Sequence, residues 1–146
     1  MSDEFATGGL RSFFGAFERD SAAADIEGLA RLYAPAILVA GPNGSQVVSR
    51  DDLLRAIPKR KQMFEAAGHR STKLAGLQET KLDDRYTLAR TEWQWQFAPS
   101  GDAPTELTLP STFIVDRSGS EPRIVLYMMH HDIARLLKEH GLISAP

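Results

Sequence analysis

The residues best suited to hold a metal ion or carry a proton stand together near the end of the chain, as His130-His131-Asp132. Successive side chains of a strand point to opposite faces, so this run does not close around one ion without a bulge. The sequence has no cysteine, no H-E-x-x-H motif and no G-x-S-x-G nucleophile motif. We therefore expect no metal site and no cofactor.

An aromatic segment, Trp93-Gln94-Trp95-Gln96-Phe97, offers binding rather than reaction chemistry. Alternate side chains of a strand share a face, so both tryptophans and the phenylalanine lie on one side and both glutamines on the other. Three large rings on one face either fill a core or line a cavity for an apolar molecule. The alternation by itself leaves both interpretations open.

Two further segments resemble binding motifs only superficially. Gly41-Pro42-Asn43-Gly44 lacks the lysine of a phosphate-binding loop, and its composition predicts a tight turn. The basic run Lys59-Arg60-Lys61 falls on a predicted helix, where we interpret it as a solvated face. A net charge of -2 gives no reason to expect nucleic acid or an anionic membrane as a partner.

The composition is that of an ordinary globular protein, with 42% hydrophobic and 25% charged residues among 146. This length predicts a single domain over residues 1–146. The acidic start Met1-Ser2-Asp3-Glu4 does not resemble a secretory signal, and the sequence has no run of ~18 apolar residues. We expect a cytoplasmic protein.

The first half of the chain has helical periodicity. Apolar residues at i, i+3, i+4 and i+7 predict a first helix with Leu10, Phe13, Phe14 and Phe17, and a second with Ile26, Leu29, Ala30 and Tyr33. Pro35 should end the second helix. A short strand over 36–40 follows, and Ser49 should cap a third helix carrying Leu53, Leu54, Ile57 and Phe64. Pro58 predicts a kink or a restart of that helix, and Gly68 its end.

The second half predicts four extended segments, over about 70–82, 86–98, 105–116 and 122–131, joined by loops rich in turn-forming residues. Asp132 should cap a last short helix that ends at Gly141. Helices followed by strands indicate an α+β fold with the helices packed on one face of the sheet.

The segment 24–34, Ala-Asp-Ile-Glu-Gly-Leu-Ala-Arg-Leu-Tyr-Ala, resembles the second helix of the nuclear transport factor 2-like superfamily. That superfamily includes ketosteroid isomerases, scytalone dehydratase and SnoaL-like polyketide cyclases. The resemblance extends over nearly the whole chain. It implies a cone-shaped, strongly curved antiparallel sheet, three N-terminal helices on its concave face, and a short C-terminal helix.

The resemblance also implies a cavity inside the cone for a small apolar or aromatic ligand. Matching the turns to the isomerase branch places one set of side chains on the cavity wall: Phe14, Phe17, Tyr33, Phe64, Trp93, Trp95, Phe97, Phe113 and Met129. Ser111, Val115, Tyr127 and His131 would also point inward. A slip of one residue in any strand would reverse these assignments for that strand.

The catalytic positions of the isomerase branch are altered here. That branch needs a carboxylate base before a proline, a tyrosine on the first helix and an acid on a long strand. The corresponding residues are Gly41, Phe17 or Phe14, and Ser111. Steroid isomerase chemistry by that mechanism is therefore not expected.

The remaining candidates for chemistry are His131, Ser111 and Tyr127. If the protein is an enzyme, we expect a cofactor-independent isomerase, lyase or cyclase in which His131 carries the proton and the two hydroxyls orient a carbonyl or hydroxyl group. Alternatively, the pocket only binds, as in a ligand sensor or carrier. In a third interpretation the aromatics form a solid core and the protein is an interaction module.

The opposite face of the sheet also predicts a partner. The last strand is apolar on both sides, whereas an antiparallel face open to water is normally polar. We expect a homodimer through this outer face, which would carry Thr112, Ile114, Ile124, Leu126, Met128 and His130.

Overall fold

A computed structural model of the protein describes residues 10–99 and 103–143. In these ranges the helices are α1 (Leu10–Ala23), α2 (Ile26–Ala30), α3 (Arg50–Arg55), α4 (Ile57–Ala66) and α5 (Ile133–Glu139). The strands are β1 (Tyr33–Gly41), β2 (Gly44–Ser49), β3 (His69–Lys81), β4 (Tyr86–Phe97), β5 (Thr105–Asp116) and β6 (Arg123–Met129).

The strands form one curved sheet in the order β2-β1-β6-β5-β4-β3. Four of the neighbouring pairs are antiparallel, and β1 pairs with β6 in parallel. The predicted α+β class with a curved, mainly antiparallel sheet is confirmed. Strand β2 was missed by the sequence analysis because its residues are mostly polar and exposed, so they carry no strand periodicity.

The predicted second helix is shorter than its periodicity suggested. Asp25 caps α2 by accepting a hydrogen bond from the Gly28 amide, 3.1 Å away, and the helix ends at Ala30. Tyr33, predicted as helical, begins β1 instead. The Arg50 guanidinium donates to the carbonyl oxygens of Ala30 and Tyr33, at 3.4 and 3.2 Å. These bonds satisfy carbonyls that a longer helix would have used, so tertiary contacts override the local period.

Other predicted turns and helix caps within the described residues are confirmed, whereas the turn predicted at 100–102 lies outside them. Pro42 and Asn43 connect the hairpin of β1 and β2, where Gly41 pairs with Gly44. The Ser49 hydroxyl accepts from the Asp52 amide at 3.1 Å. The third helix restarts as α4, with Pro58 in its first turn. At the end of the chain, Asp132 caps α5, since its carboxylate accepts from the Arg135 amide at 3.1 Å.

The side chains on the concave face of the sheet form two apolar groups. We call the first the aromatic core; α1 packs on it, and it includes Phe14, Phe17, Tyr33, Trp93, Phe113 and Ile124. We call the second the terminal cluster; α4 and α5 cover it, and it includes Phe64, Phe97, Leu109, Ile133 and Leu137. Full burial of such a side chain stabilises the folded state by roughly 1.5–3 kcal/mol. These two groups therefore hold the helices on the sheet.

Irregular pairing changes which side chains face inward. The predicted outward position of Ile124 is wrong, because this residue is fully buried in the aromatic core. The β5–β6 register shifts after the Ile114–Leu126 pair, so that Val115 lies opposite Ile124. The extra residue turns Ile124 inward while Leu126 stays on the convex face. A similar shift frees the Leu74 amide in β3, which donates to the Glu18 carboxylate of α1 at 2.5 Å.

In the part of the chain that the structure describes, no helix is both long and apolar enough to cross a membrane.

Gly68 connects α4 to β3 and should not tolerate a side chain. Its φ is +85°, and a Cβ atom there would lie 2.6 Å from the backbone nitrogen of Pro99. We predict that Gly68→Ala lowers the free energy of unfolding by about 1–3 kcal/mol in urea titrations. Gly15→Ala is the control, because Gly15 lies in α1 and a Cβ atom there would lie 3.7 Å from Arg19 Nη1, an ordinary contact distance. This change should raise the free energy of unfolding by about 0.5–1 kcal/mol. Equal stability of the Gly68 variant and the wild type would contradict the argument.

Candidate ligand site on the concave face

Strand pairing brings two of the three predicted chemical residues together. In one row across the concave face, Ser111 lies between Thr91 of β4 and Met129 of β6. In the next row, Phe113 lies between Ala89 and Tyr127. Ser111 and Tyr127 are therefore diagonal neighbours on adjacent strands, within reach of one small molecule. Ser111 is buried and Tyr127 is half-buried, as an inward orientation requires.

The third residue, His131, lies elsewhere. Strand β6 ends at Met129, and the side chain of His131 is exposed in the bend that follows. The expectation that it points inward is wrong, because the strand geometry that would have turned it inward stops two residues earlier. The Asp132 carboxylate is bonded to the α5 backbone and to the Asn43 side-chain nitrogen, 3.1 Å away. These bonds hold its pKa below the usual range.

The predicted aromatic walls pack against one another. Ring centroids of Phe14 and Phe113 are 4.9 Å apart, those of Phe17 and Trp93 are 5.7 Å apart, and those of Phe113 and Tyr127 are 4.7 Å apart. These are contact separations for aromatic pairs. The rings of Phe14, Phe17, Trp93 and Phe113 are buried under α1, so this part of the concave face is a solid core, and Tyr127 packs at its edge.

A buried chain of hydrogen bonds holds the Trp93 ring in place. Its Nε1 atom donates to the Thr91 hydroxyl at 2.8 Å, and that hydroxyl donates to the Ser111 carbonyl oxygen at 2.9 Å. Both polar groups of this pair are thereby satisfied inside an apolar region. Trp93 is thus fixed as part of the core, and the sequence interpretation that used it as a cavity wall is not the arrangement seen.

Trp95 marks the boundary between the two apolar groups, because it packs against both of them. On one side it contacts Phe64 edge to face, with centroids 5.0 Å apart, and it stacks with Phe97 at 6.1 Å. We call the region of the concave face around Trp95, Ser111, Tyr127 and Met129 the seam. Trp95, Tyr127 and Met129 are only half-buried, unlike the rings of the aromatic core.

Sequence reasoning missed Arg60, which reaches the seam from α4. Its Nη2 atom lies 3.6 Å from Met129 Sδ, and its Cζ atom lies 5.3 Å from the Phe64 ring centroid. The interpretation of Lys59-Arg60-Lys61 as a solvated face holds for Lys59, which is exposed, but is wrong for Arg60. The missed signal is helical spacing: Arg60 follows Ile57 by three residues and precedes Phe64 by four.

Tyr33 adds a buried hydroxyl close to Arg60. Burial raises the pKa of Tyr33 above its ordinary value, the nearby Tyr127 raises it further, and the positive charge of Arg60 lowers it. The hydroxyl is therefore a neutral hydrogen-bond donor under physiological conditions. No described residue forms a hydrogen bond with the side-chain hydroxyls of Tyr33, Tyr127 or Ser111.

Two open clefts lie beyond the terminal cluster. One of about 360 Å³ is lined by Ala66, Gly141, Leu142 and Ile143. The other, of about 330 Å³, is lined by Glu65, Ala66, Gly68, His69, Arg70, Ala98 and Pro99. Neither cleft is lined by a residue of the predicted pocket wall.

His69, also missed from sequence, is held in place by its neighbours. Its Nε2 atom is 2.6 Å from the Thr72 hydroxyl, and its ring centroid lies 5.4 Å from that of Phe97 and 5.6 Å from that of Trp95. Burial lowers the pKa of His69 below its ordinary value of 6.5. In the described ranges, no group of three or more His, Cys, Asp or Glu side chains is arranged to hold a metal ion.

The lowered pKa of His69 predicts a stability change in mildly acidic solution. The unfolded chain takes up a proton near pH 6.5, whereas the folded chain does so only at lower pH. The neutral His69 side chain therefore contributes its full share of stability above pH 6.5, and this share is lost as the pH falls through the pKa of His69 in the folded chain. In urea titrations, the free energy of unfolding should fall less between pH 7.5 and pH 5 for His69→Gln than for the wild type. His131→Gln, at an exposed position, should decline like the wild type; identical slopes for all three proteins would contradict the assignment.

Comparison with known proteins rests on structure, since no protein-family model matches this sequence. No curated protein matches it either. An NTF2-like protein with a cystatin-like fold from Novosphingobium aromaticivorans superposes with a TM-score of 0.70 and 16% identity, over 88% of this chain and 86% of that one. An NTF2-like protein of unknown function from Shewanella oneidensis gives a TM-score of 0.67 and 13% identity, over 84% and 96%.

A third similar structure is the beta subunit of the benzoate 1,2-dioxygenase from Burkholderia mallei. Its TM-score is 0.67 with 16% identity, over 87% of this chain and 91% of that one. At such identities the likeness concerns the backbone fold alone. The architecture inferred from segment 24–34 is thus confirmed, and this chain has the nuclear transport factor 2-like, or cystatin-like, fold.

Proposed function

We propose that this protein binds a small, largely apolar molecule at the seam of its concave face. The observation that carries the proposal is the pair of side-chain hydroxyls of Ser111 and Tyr127, which stand on adjacent strands among apolar side chains. Neither hydroxyl forms a hydrogen bond with a described residue. Neither hydroxyl is among the fully buried polar atoms that lack a partner, so both are open to a hydrogen bond from outside the chain, and a ligand carbonyl or hydroxyl would supply it.

Binding is better supported than a reaction. The proton carrier expected in the sequence, His131, is exposed beyond the end of β6. Gly41, at the position of the isomerase base, has no side chain, and a Cβ atom there would lie 3.8 Å from the Met129 carbonyl oxygen. We therefore propose a SnoaL-like member that acts as a ligand carrier or sensor, with Ser111 and Tyr127 orienting the ligand.

Filling the seam should block binding. We predict that N-phenyl-1-naphthylamine, a neutral apolar probe, binds the wild type saturably, and that Ser111→Leu weakens this binding at least tenfold. The added isobutyl group would occupy the space beside Met129 and Thr91. Fluorescence titration measures the affinity, and native mass spectrometry of the purified protein would show any small molecule that co-purifies.

Two controls separate blocking from unfolding. Ser45→Leu places the same side chain on the exposed strand β2 and should leave the affinity unchanged. Ser111→Ala removes only the hydroxyl and should keep the fold, as judged by circular dichroism and thermal unfolding. Absence of saturable binding to the wild type, or equal affinities of the two leucine variants, would refute the proposed site.

We further propose that the convex face of the sheet joins two copies of this chain. One row of paired residues crosses five strands as Val47, Leu38, Leu126, Ile114 and Leu88, all of them aliphatic. Val47 is 72% exposed, which is unusual for a large apolar side chain. A continuous apolar row on a face open to water is typical of an interface. The similar dioxygenase chain, named as a beta subunit, is also part of an assembly.

A charge placed in this row should separate the copies. We predict that the wild type sediments as a dimer at micromolar concentration and that Leu126→Glu sediments as a monomer, because each dimer would bury two unpaired carboxylates. Gln78→Glu, an exposed change on the same face outside the row, should remain dimeric. Sedimentation velocity measures the outcome, and a monomeric wild type would contradict the proposal.

A further inference from the structure

The orientation of Arg60 makes the seam different from an ordinary apolar pocket. Arg60 lies on the face of α4 that carries Ile57 and Phe64, and it is half-buried. Its neighbour Lys59 is exposed, as expected for a basic residue on a helix. Helix α4 therefore directs the guanidinium of Arg60 toward the sheet, where it meets Met129 of β6.

The contacts of this guanidinium leave its charge uncompensated. Its partners are Met129 Sδ at 3.6 Å and the Phe64 ring, whose centroid is 5.3 Å from Cζ. A thioether is a weak acceptor, and a guanidinium has five N–H donors. Among the residues that the structure describes, Arg60 forms no ion pair with a carboxylate. A partly buried charge without a counter-ion is costly, and an anion would remove that cost.

Met129 connects Arg60 to residues that carry neutral hydroxyl donors. Met129, which Arg60 contacts, lies directly opposite Ser111, and Tyr127 precedes it by two residues on the same face of β6. The Tyr33 hydroxyl is near enough for the charge of Arg60 to act on its ionisation. Arg60 thus links two parts of the concave face: through Met129 it meets the row of Ser111, and through Phe64 it meets Trp95, because the Phe64 and Trp95 ring centroids are 5.0 Å apart.

We propose that the ligand of the seam is a small monocarboxylic acid, with its carboxylate bound by the guanidinium of Arg60 and its apolar body against Trp95. A guanidinium matches the two oxygens of a carboxylate through a pair of parallel hydrogen bonds. One guanidinium suits a singly charged acid. This inference rests on the proposed binding function and adds the chemical class of the ligand.

The test compares acids with their neutral amides, which have nearly the same shape. Isothermal titration calorimetry near pH 7.5 would measure 2-naphthoate against 2-naphthamide, and octanoate against octanamide. At least one acid should bind about 10- to 100-fold more tightly than its amide, as expected for hydrogen bonds to a charged group. Arg60→Gln should abolish that preference, and Lys59→Gln should keep it. Arg60→Lys retains the positive charge but lacks the pair of parallel N–H donors, so it should keep part of the preference for the acid.

Thermal unfolding of each variant shows whether the fold persists, and Arg60→Lys provides a second measurement if Arg60→Gln does not fold. Equal affinities of each acid and its amide, or a preference that survives in Arg60→Gln, would overturn the inference. If N-phenyl-1-naphthylamine binds while the acids show no preference, only this inference fails. If neither that probe nor any of the four compounds binds, the proposed binding function fails with it.

Discussion

The register between β4 and β5 is the constraint on which the concave face depends. Twelve consecutive pairs join the two strands, from Tyr86–Asp116 to Phe97–Thr105, without a bulge. Because side chains alternate between faces, a slip of β4 by one residue would turn Trp93 and Thr91 outward while Ser111 on β5 stayed inward. The aromatic core fixes this register, since α1 can pack only on the face that carries Trp93 and Phe113. The position of Ser111 beside Thr91 follows from it.

The two halves of the concave face perform different tasks. Under α1 the rings contact one another, and the Trp93 indole is bonded to Thr91, so this half supplies stability. At the seam Trp95, Tyr127 and Met129 are half-buried, the Ser111 and Tyr127 hydroxyls form no hydrogen bond with a described residue, and Arg60 contributes a charge. Such groups are typical of a place where a ligand completes the hydrogen bonding.

Much of the fold was predictable because its signals are local. The caps at Ser49 and Asp132, the turn at Pro42-Asn43 and the ends at Gly68 and Gly141 depend on a few adjacent residues. The inward side of β4 and β5 followed from strict alternation. Strand β2 was not predictable in this way, because its polar residues are held by pairing with β1. Tyr33 was assigned to a helix since its spacing fits one, whereas Arg50 and the sheet determine its place.

The sequence by itself determined the α+β class, the faces of the two long central strands, and the aromatic character of the concave side. These properties follow from the spacing of apolar residues, which repeats every two residues in a strand and every 3.6 residues in a helix. Only the tertiary structure decided that the rings form a core, that His131 lies outside, that a bulge turns Ile124 inward, and that Arg60 reaches Met129. The physical reason is that these outcomes depend on where strands end, where pairing shifts and which helix face meets the sheet, and such contacts join residues far apart in the chain.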